Sequence, residues 1–123
     1  GDPDALAQVE ALLGPWTIAG PSRHIAQMAL EDTGWQQKMR EHLPAQSRQL
    51  VQLLNQYGFN PVGGTDLFQY VQHPAARQLQ EALAREGVWT RYFANPAALR
   101  FGLPTEAGWS RLKQALTNAS AVL

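Results

Sequence analysis

The chain has 123 residues, of which 45% are hydrophobic and 16% charged, and its ten basic residues are balanced by ten acidic ones. This length and composition are typical of a globular chain that buries its own core, and the neutral balance without a basic stripe gives no support to nucleic-acid binding. The absence of cysteine excludes disulfides and thiolate chemistry and agrees with a cytoplasmic location. No apolar run approaches the ~20 residues that cross a bilayer, so no membrane partner is expected.

Helices dominate the first half of the chain, and strands enter in the second. Asp2-Pro3 is a typical helix opening, with Asp as the N-cap and Pro in the first turn. Beyond Gly58, a typical helix end, the apolar residues change from helical spacing to alternation. In chain order the pattern predicts a helix over residues 3–13, an extended linker over 16–19, helices over 22–30 and 33–57, a strand over 67–71, a helix over 75–86, strands over 88–93 and 99–103, and a last helix capped by Thr105.

This order predicts an α+β fold, with a small, mostly antiparallel sheet of three to four strands and helices packed on one face. Pro44 lies inside the long third helix and is expected to kink or break it. Gly63-Gly64-Thr65 is interpreted as the turn into the first strand, because it precedes a strand and lacks the glycine spacing of a phosphate loop. The histidines show no metal-ligand spacing and are interpreted as structural or surface residues: His24, His42 and His73.

Arg100 is a lone charge in the apolar run Leu99–Leu103. An unpaired charge in a buried strand is costly. Its partner is therefore either an Asp or Glu elsewhere in the fold or an external carboxylate or phosphate, which the guanidinium fork suits. Arg91 lies on the preceding strand, and a hairpin through Asn95-Pro96 would bring both arginines to one neighbourhood. Such a pair would hold a doubly anionic small molecule, although no nearby group is suited to transform it.

Three segments together carry a family resemblance: Gly14-Pro15-Trp16-Thr17-Ile18-Ala19-Gly20-Pro21, the strand with Arg91, and Leu99-Arg100-Phe101-Gly102-Leu103-Pro104. In these segments and their order, the chain resembles the threonine-phosphate decarboxylases and related aminotransferase-like proteins of cobalamin synthesis. These are fold-type-I enzymes that use pyridoxal phosphate and are close to histidinol-phosphate aminotransferase. The resemblance covers nearly the whole chain.

The resemblance implies that the chain is the small C-terminal domain of such an enzyme. Residues 1–20 would form an interdomain helix and linker, and residues 21–123 the small domain itself. The large domain, with the Schiff-base lysine, the aspartate facing the pyridine nitrogen and the phosphate cup, would then be missing. The chain starts with Gly1 rather than methionine, and we expect it to be a piece of a longer protein.

The resemblance also implies substrate-binding roles. By it, Arg100 binds the substrate α-carboxylate, Arg91 helps to bind the substrate phosphate, and Trp16 lies in the segment that passes near the active site. The implied substrate is a small phosphorylated amino acid and the implied parent is a homodimer. Pyridoxal phosphate is the cofactor of that parent, with none expected on this chain.

Some residues depart from the family pattern. Lys38 and Lys113, the two lysines of the chain, lie on predicted polar helix faces outside the family's lysine loop, so neither is expected to form the Schiff base. No catalytic residue is expected, and the isolated chain should be inactive. Ala19 stands where relatives often have a small polar residue. Apolar surface is expected around Trp16 and Ile18, where a large domain would pack.

Three functions stay open on these observations. The chain could belong to a decarboxylase of L-threonine O-3-phosphate or to a histidinol-phosphate-type aminotransferase, since an anion-binding arginine pair serves either reaction. It could also be a stand-alone α+β binding module, because a fold by itself does not define a function.

Overall fold

The computed structural model describes residues 1–14 and 17–121 of the chain. Its elements are, in chain order, α1 (Pro3–Leu13), α2 (Gly20–Glu31), α3 (Thr33–Gln56), β1 (Pro61–Thr65), β2 (Phe68–Gln72), α4 (Ala76–Arg85), β3 (Arg91–Ala94), β4 (Ala97–Gly102) and α5 (Gly108–Ser120). The chain divides into two compact units, Gly1–Gln37 and Lys38–Leu123. The predicted boundary after residue 20 concerns a division of roles in a parent enzyme and stays a prediction.

The first unit is helical and exposes apolar side chains. α1 begins as predicted, with the Asp2 carboxylate accepting a hydrogen bond from the Asp4 N–H at 3.0 Å, and it ends at Gly14, whose φ is 69°. Ile18 is exposed, as expected, whereas Trp16 lies outside the described residues. Leu12 is also exposed, and no described helix is both long and apolar enough to cross a membrane.

The third helix is continuous through Pro44, so the alternative of a break there was wrong. Pro44 removes one helical hydrogen bond, but the turns that follow bury Leu50 and Leu54 completely in the core. Packing of an apolar face stabilises a helix more than local propensity does, which accounts for the continuity. The helix ends at Gly58, which has a φ of 78°, and the Phe59 N–H donates to the Leu54 carbonyl oxygen at 3.0 Å.

The four strands form an antiparallel sheet in the order β1-β2-β4-β3, which confirms the predicted α+β fold. The prediction of a turn at Gly63-Gly64 was wrong, because both residues belong to β1 and the turn into β2 lies at Asp66-Leu67. Glycines show no apolar alternation, so this strand has no sequence signal. Gly64 is nonetheless required, since a Cβ there would lie 2.6 Å from the Phe68 carbonyl oxygen.

One face of the sheet packs against helices and forms the core. Val71, Leu99 and Phe101 face inward and are buried. The leucines packed with them come from α3, α4 and α5: Leu50, Leu54, Leu79, Leu83, Leu112 and Leu116. Alternation along each strand therefore directs the other side chains of β2, β3 and β4 to the opposite face, which we call the outer face.

A buried polar cluster ties β2 to the third helix. The Gln69 amide donates to the Ser47 hydroxyl at 2.8 Å and to the Thr65 carbonyl oxygen at 3.1 Å. The Ser47 hydroxyl also donates to that carbonyl at 3.2 Å. Because Gln69 points inward, its neighbours on β2 are directed to the outer face.

Two predicted boundaries near the strands shift. Thr105 is not the N-cap of α5, because the helix begins at Gly108 after Ala107 and Thr105 accepts the Gly108 N–H with its backbone oxygen at 2.8 Å. β3 begins at Arg91 rather than at Val88.

Candidate functional site

The candidate site is the outer face of the sheet, where two arginines meet. Arg91 on β3 lies directly opposite Arg100 on β4 in the hairpin register, and both side chains are exposed. Leu99 and Phe101, on either side of Arg100, point the other way into the core. The hairpin predicted from the sequence, and the placement of both arginines on one face of its sheet, are thus confirmed.

An internal ion pair does not account for these arginines. Within residues 1–14 and 17–121, no carboxylate lies within 4.0 Å of the guanidinium of Arg91 or Arg100. Arg77 on α4, by contrast, forms an ion pair with Glu81 one helical turn away, at 3.3 Å. Of the two partners left open for Arg100, an internal carboxylate is therefore absent from the described residues, and the exposed guanidinium is accessible to an external anion.

Aromatic rings take the place of carboxylates beside the arginines. The guanidinium carbon of Arg100 lies 5.1 Å from the centre of the Phe68 ring, and that of Arg91 lies 5.8 Å from the centre of the Phe93 ring. Both distances are within the range of cation–π attraction. A ring holds a guanidinium without neutralising its charge or occupying its N–H donors in the plane of the fork.

A second aromatic contact completes the outer face. The rings of Tyr70 and Phe93 meet edge to face with their centres 5.5 Å apart. Ala98, directly opposite Phe93 in the register, is fully buried although it does not belong to the core cluster. We attribute its burial to these two rings. Tyr70 is also the residue of β2 directly opposite Arg100.

This arrangement suits the binding of an anion. Like charges directly opposite each other in a sheet are unfavourable unless something lies between them. A carboxylate or phosphate can accept paired N–H donors from a guanidinium fork. A ligand with one anionic group for each arginine would relieve the repulsion of Arg91 and Arg100 and would fit their adjacent positions.

Sequence reasoning identified the arginines but missed the aromatic residues of the outer face: Phe68, Tyr70 and Phe93. A signal for the last of these was present, because Phe93 alternates in phase with Arg91 along β3. The two residues of β2 could not be placed in the same way, since the pairing of β2 with β4 joins strands that are far apart in the sequence.

The other predicted candidates lie elsewhere. Trp16 lies outside the described residues, so its proposed role is not placed. Lys38 and Lys113 are exposed on α3 and α5, as predicted, and neither belongs to the sheet. Lys113 borders a cavity of about 290 Å³ whose lining comes from these two helices alone.

The histidines and acidic residues give no sign of a metal site. His73 accepts a hydrogen bond at Nδ1 from the Ala75 N–H at 3.1 Å, and its ring packs edge-on against Phe59, as a structural histidine does. In the part of the chain that the structure describes, no group of three or more His, Cys, Asp or Glu side chains could hold a metal ion.

A cavity of about 410 Å³ opens at the end of β4, and no sequence motif indicates it. Gly102, two residues beyond Arg100, contributes to its wall together with Trp89, Thr90 and Arg111. These residues come from separate segments and form no local motif. The cavity therefore lies at the end of the strand that carries Arg100, and Arg111 adds a positive charge to its wall.

Comparison with known proteins adds a family and two relatives. The family model for aminotransferase class I and II matches residues 1–120. The chain is 47% identical over 117 residues to a threonine-phosphate decarboxylase of Pseudomonas aeruginosa, an alignment that covers 94% of this chain and 35% of that protein. It is 37% identical over 113 residues to a threonine-phosphate decarboxylase of Sinorhizobium sp, with 90% of this chain and 33% of that protein covered. The chain thus spans about a third of the length of the curated relatives that it matches.

Proposed function

Because the chain belongs to the aminotransferase class I and II family, we propose that it is the substrate-binding C-terminal part of a pyridoxal-phosphate-dependent threonine-phosphate decarboxylase. The parent enzyme would release carbon dioxide from L-threonine O-3-phosphate and leave the aminopropanol phosphate used in cobalamin synthesis. Both relatives are threonine-phosphate decarboxylases, which supports this reaction.

The observation that carries the proposal is the pair of opposed arginines without an internal carboxylate partner in the described residues. The proposed substrate has a carboxylate at one end and a phosphate at the other. Arg100 would bind the carboxylate and Arg91 the phosphate, so that the two ends are held at adjacent positions on one rigid hairpin. Fixing both ends orients the bond between the α-carbon and the carboxylate, which is the bond that breaks.

The residues of this chain do not fit the cofactor itself. Pyridoxal phosphate needs a lysine for its Schiff base, and Lys38 and Lys113 lie on helices rather than on the arginine-bearing face of the sheet. We propose that the remaining two thirds of the parent supply this lysine and the other cofactor contacts. The role of this chain is then to bind and orient the substrate.

The contact of Arg91 with the substrate phosphate should act on KM. The phosphate does not react, so its contact with Arg91 is the same in the bound substrate and in the transition state. Such uniform binding lowers KM without changing kcat. A hydrogen bond to a charged group contributes about 1.5–3 kcal/mol, which corresponds to roughly a ten- to 150-fold change in KM.

The test uses the full-length enzyme supplied with pyridoxal phosphate. Carbon dioxide release from L-threonine O-3-phosphate and amino transfer to 2-oxoglutarate are measured separately, and we expect the first. Arg91→Gln and Arg100→Gln should each lower kcat/KM, and for Arg91→Gln the loss should lie in KM with kcat nearly unchanged. Arg77→Gln, on the exposed face of α4 and far from the substrate in this proposal, is the matched control and should behave as wild type.

Other outcomes would contradict the proposal in different ways. Amino transfer without carbon dioxide release would indicate an aminotransferase of the histidinol-phosphate type. Full activity of the Arg91→Gln and Arg100→Gln variants would remove the arginines from the site. A chain that neither requires a larger parent nor responds to either substrate would be a stand-alone binding module.

The parent's assembly is part of the same proposal. Leu12 and Leu30 are among the large apolar side chains that α1 and α2 expose, and exposed apolar patches typically mark interfaces. We propose that the large domain covers them, that the parent is a homodimer in the cytoplasm, and that the isolated chain is inactive. Light scattering of the full-length protein tests the dimer, and the decarboxylation assay on the 123-residue chain tests the inactivity.

A further inference from the structure

Phe68 is the aromatic residue closest to a guanidinium on the outer face. It is half-buried at the start of β2, and the centre of its ring lies 5.1 Å from the guanidinium carbon of Arg100. The register places Phe68 opposite Gly102, two residues beyond Arg100 on β4. Because Gly102 has no side chain, it leaves the strand open beside Arg100 on the side where the ring lies.

The ring is held on a rigid part of the fold. The next residue, Gln69, is buried and donates hydrogen bonds to Ser47 and to the Thr65 carbonyl oxygen. The turn before it is closed by a hydrogen bond of 3.1 Å from the Leu67 N–H to the Thr65 hydroxyl. These contacts fix the backbone on both sides of Phe68, so the ring position is set before any ligand binds.

The chemical consequence concerns the donors of Arg100. A carboxylate partner would occupy two N–H donors and neutralise the charge that a substrate needs. An aromatic face attracts the cation through its quadrupole and leaves the N–H donors at the edge of the guanidinium plane. The ring can therefore orient the guanidinium and restrict its rotamers while the charge remains available, and such preorganisation strengthens binding.

We propose that Phe68 is a positioning residue for Arg100, holding its guanidinium by a cation–π contact so that the whole donor fork faces the anionic substrate. This inference rests on the proposed function for the identity of the anion, which is the substrate carboxylate. Phe68 itself does not take part in the reaction.

The test compares two substitutions in the full-length enzyme. Phe68→Leu keeps an apolar side chain but removes the aromatic face, whereas Phe68→Tyr keeps the face. Loss of a cation–π contact should raise KM for L-threonine O-3-phosphate about three- to thirty-fold in Phe68→Leu, with kcat within about twofold of wild type, and Phe68→Tyr should restore KM to near wild type. Leu67→Ala, an exposed apolar truncation one residue away, is the control and should leave KM unchanged.

A second readout does not depend on activity. In protein labelled with 15N at arginine, the Arg100 Nε–Hε signal is assigned by its loss in Arg100→Lys. A ring close to the guanidinium shifts this signal, so it should move in Phe68→Leu and stay near its wild-type position in Phe68→Tyr.

The two measurements separate the possible failures. An unmoved Arg100 signal in Phe68→Leu overturns the positioning role whatever the enzyme does. An unchanged KM in Phe68→Leu, or an equal rise in Phe68→Leu and Phe68→Tyr, also overturns it, since the effect would then not depend on the aromatic face. If wild type shows no decarboxylation but the signal moves as expected, the proposed function fails and the contact of Phe68 with Arg100 stands.

Discussion

The repulsion between Arg91 and Arg100 should be measurable as a coupling free energy. Directly opposite residues on antiparallel strands have Cβ atoms about 4.5–5.5 Å apart, and here the two long side chains extend toward different rings, those of Phe93 and Phe68. Unit charges about 4 Å apart in water repel by about 1 kcal/mol, and because the two guanidinium groups extend apart we expect about half of that, ~0.5 kcal/mol. We therefore expect a double-mutant cycle to give a repulsive coupling free energy of about 0.5 kcal/mol between Arg91 and Arg100.

The perturbation is a double-mutant cycle of Arg91→Gln, Arg100→Gln and the double variant. The separate loss of each cation–π contact cancels in the cycle, which leaves the pairwise term. Urea denaturation of the 123-residue chain gives the free energy of unfolding of each variant, with circular dichroism and tryptophan fluorescence required to coincide.

Salt and phosphate should both weaken the repulsion between the two arginines, salt by screening and phosphate by binding between them. The repulsive term of about 0.5 kcal/mol should fall toward zero in 1 M NaCl, where the Debye length is ~3 Å. Inorganic phosphate, compared with NaCl at equal ionic strength, should stabilise wild type by about 1.4 kcal/mol at ten times its dissociation constant. A coupling that is zero or attractive at low salt would refute the reasoning, because the two charges would then not repel each other in the folded chain.

Further predictions concern the hairpin and the lysines. Gly64→Ala should destabilise the fold by about 1–3 kcal/mol, because its Cβ would press on the Phe68 carbonyl oxygen. Gly63→Ala is the control and should be tolerated, since no atom lies within 4 Å of the added Cβ. Equal urea midpoints of the two variants would contradict this. Gln69→Leu should cost about 1–3 kcal/mol because it removes the amide that donates to the buried Ser47 hydroxyl, and an unchanged urea midpoint would contradict this. Pyridoxal phosphate added to the 123-residue chain should form no stoichiometric, borohydride-trappable adduct at Lys38 or Lys113; a stoichiometric adduct at either one, found by peptide mapping, would show that this chain carries a Schiff-base lysine.

Much of the hairpin with the arginines was predictable from the sequence. Strand alternation showed that the side chain of Arg100 points away from those of Leu99 and Phe101, and the short Asn95-Pro96 connection predicted that its strand pairs with that of Arg91. The structure confirms both inferences. What alternation could not show was which way Arg100 faces, because a period of two assigns residues to two faces without saying which face is buried.

The features that differ from the prediction depend on contacts between residues far apart in the sequence. The sequence predicts a turn at Gly63-Gly64, because these residues have no side chains to show alternation. Only the pairing with β2 makes them part of a strand. The helix through Pro44 continues because later turns of α3 pack their leucines in the core. In both cases tertiary contacts outweighed a local preference.

The sequence by itself determined the order of the helices and of β2, β3 and β4, the glycines that end the helices, and the two arginines of one hairpin, since each of these depends on residues close together in the chain. Only the tertiary structure decided the partners of those arginines. The strand order β1-β2-β4-β3 brings Phe68 beside Arg100 across about thirty residues of chain, and it leaves both guanidinium groups exposed without a carboxylate in the described residues. Pairing between distant strands is selected by the burial of the whole inner face, so the chemical surroundings of a residue on the outer face follow from the packing of the entire sheet.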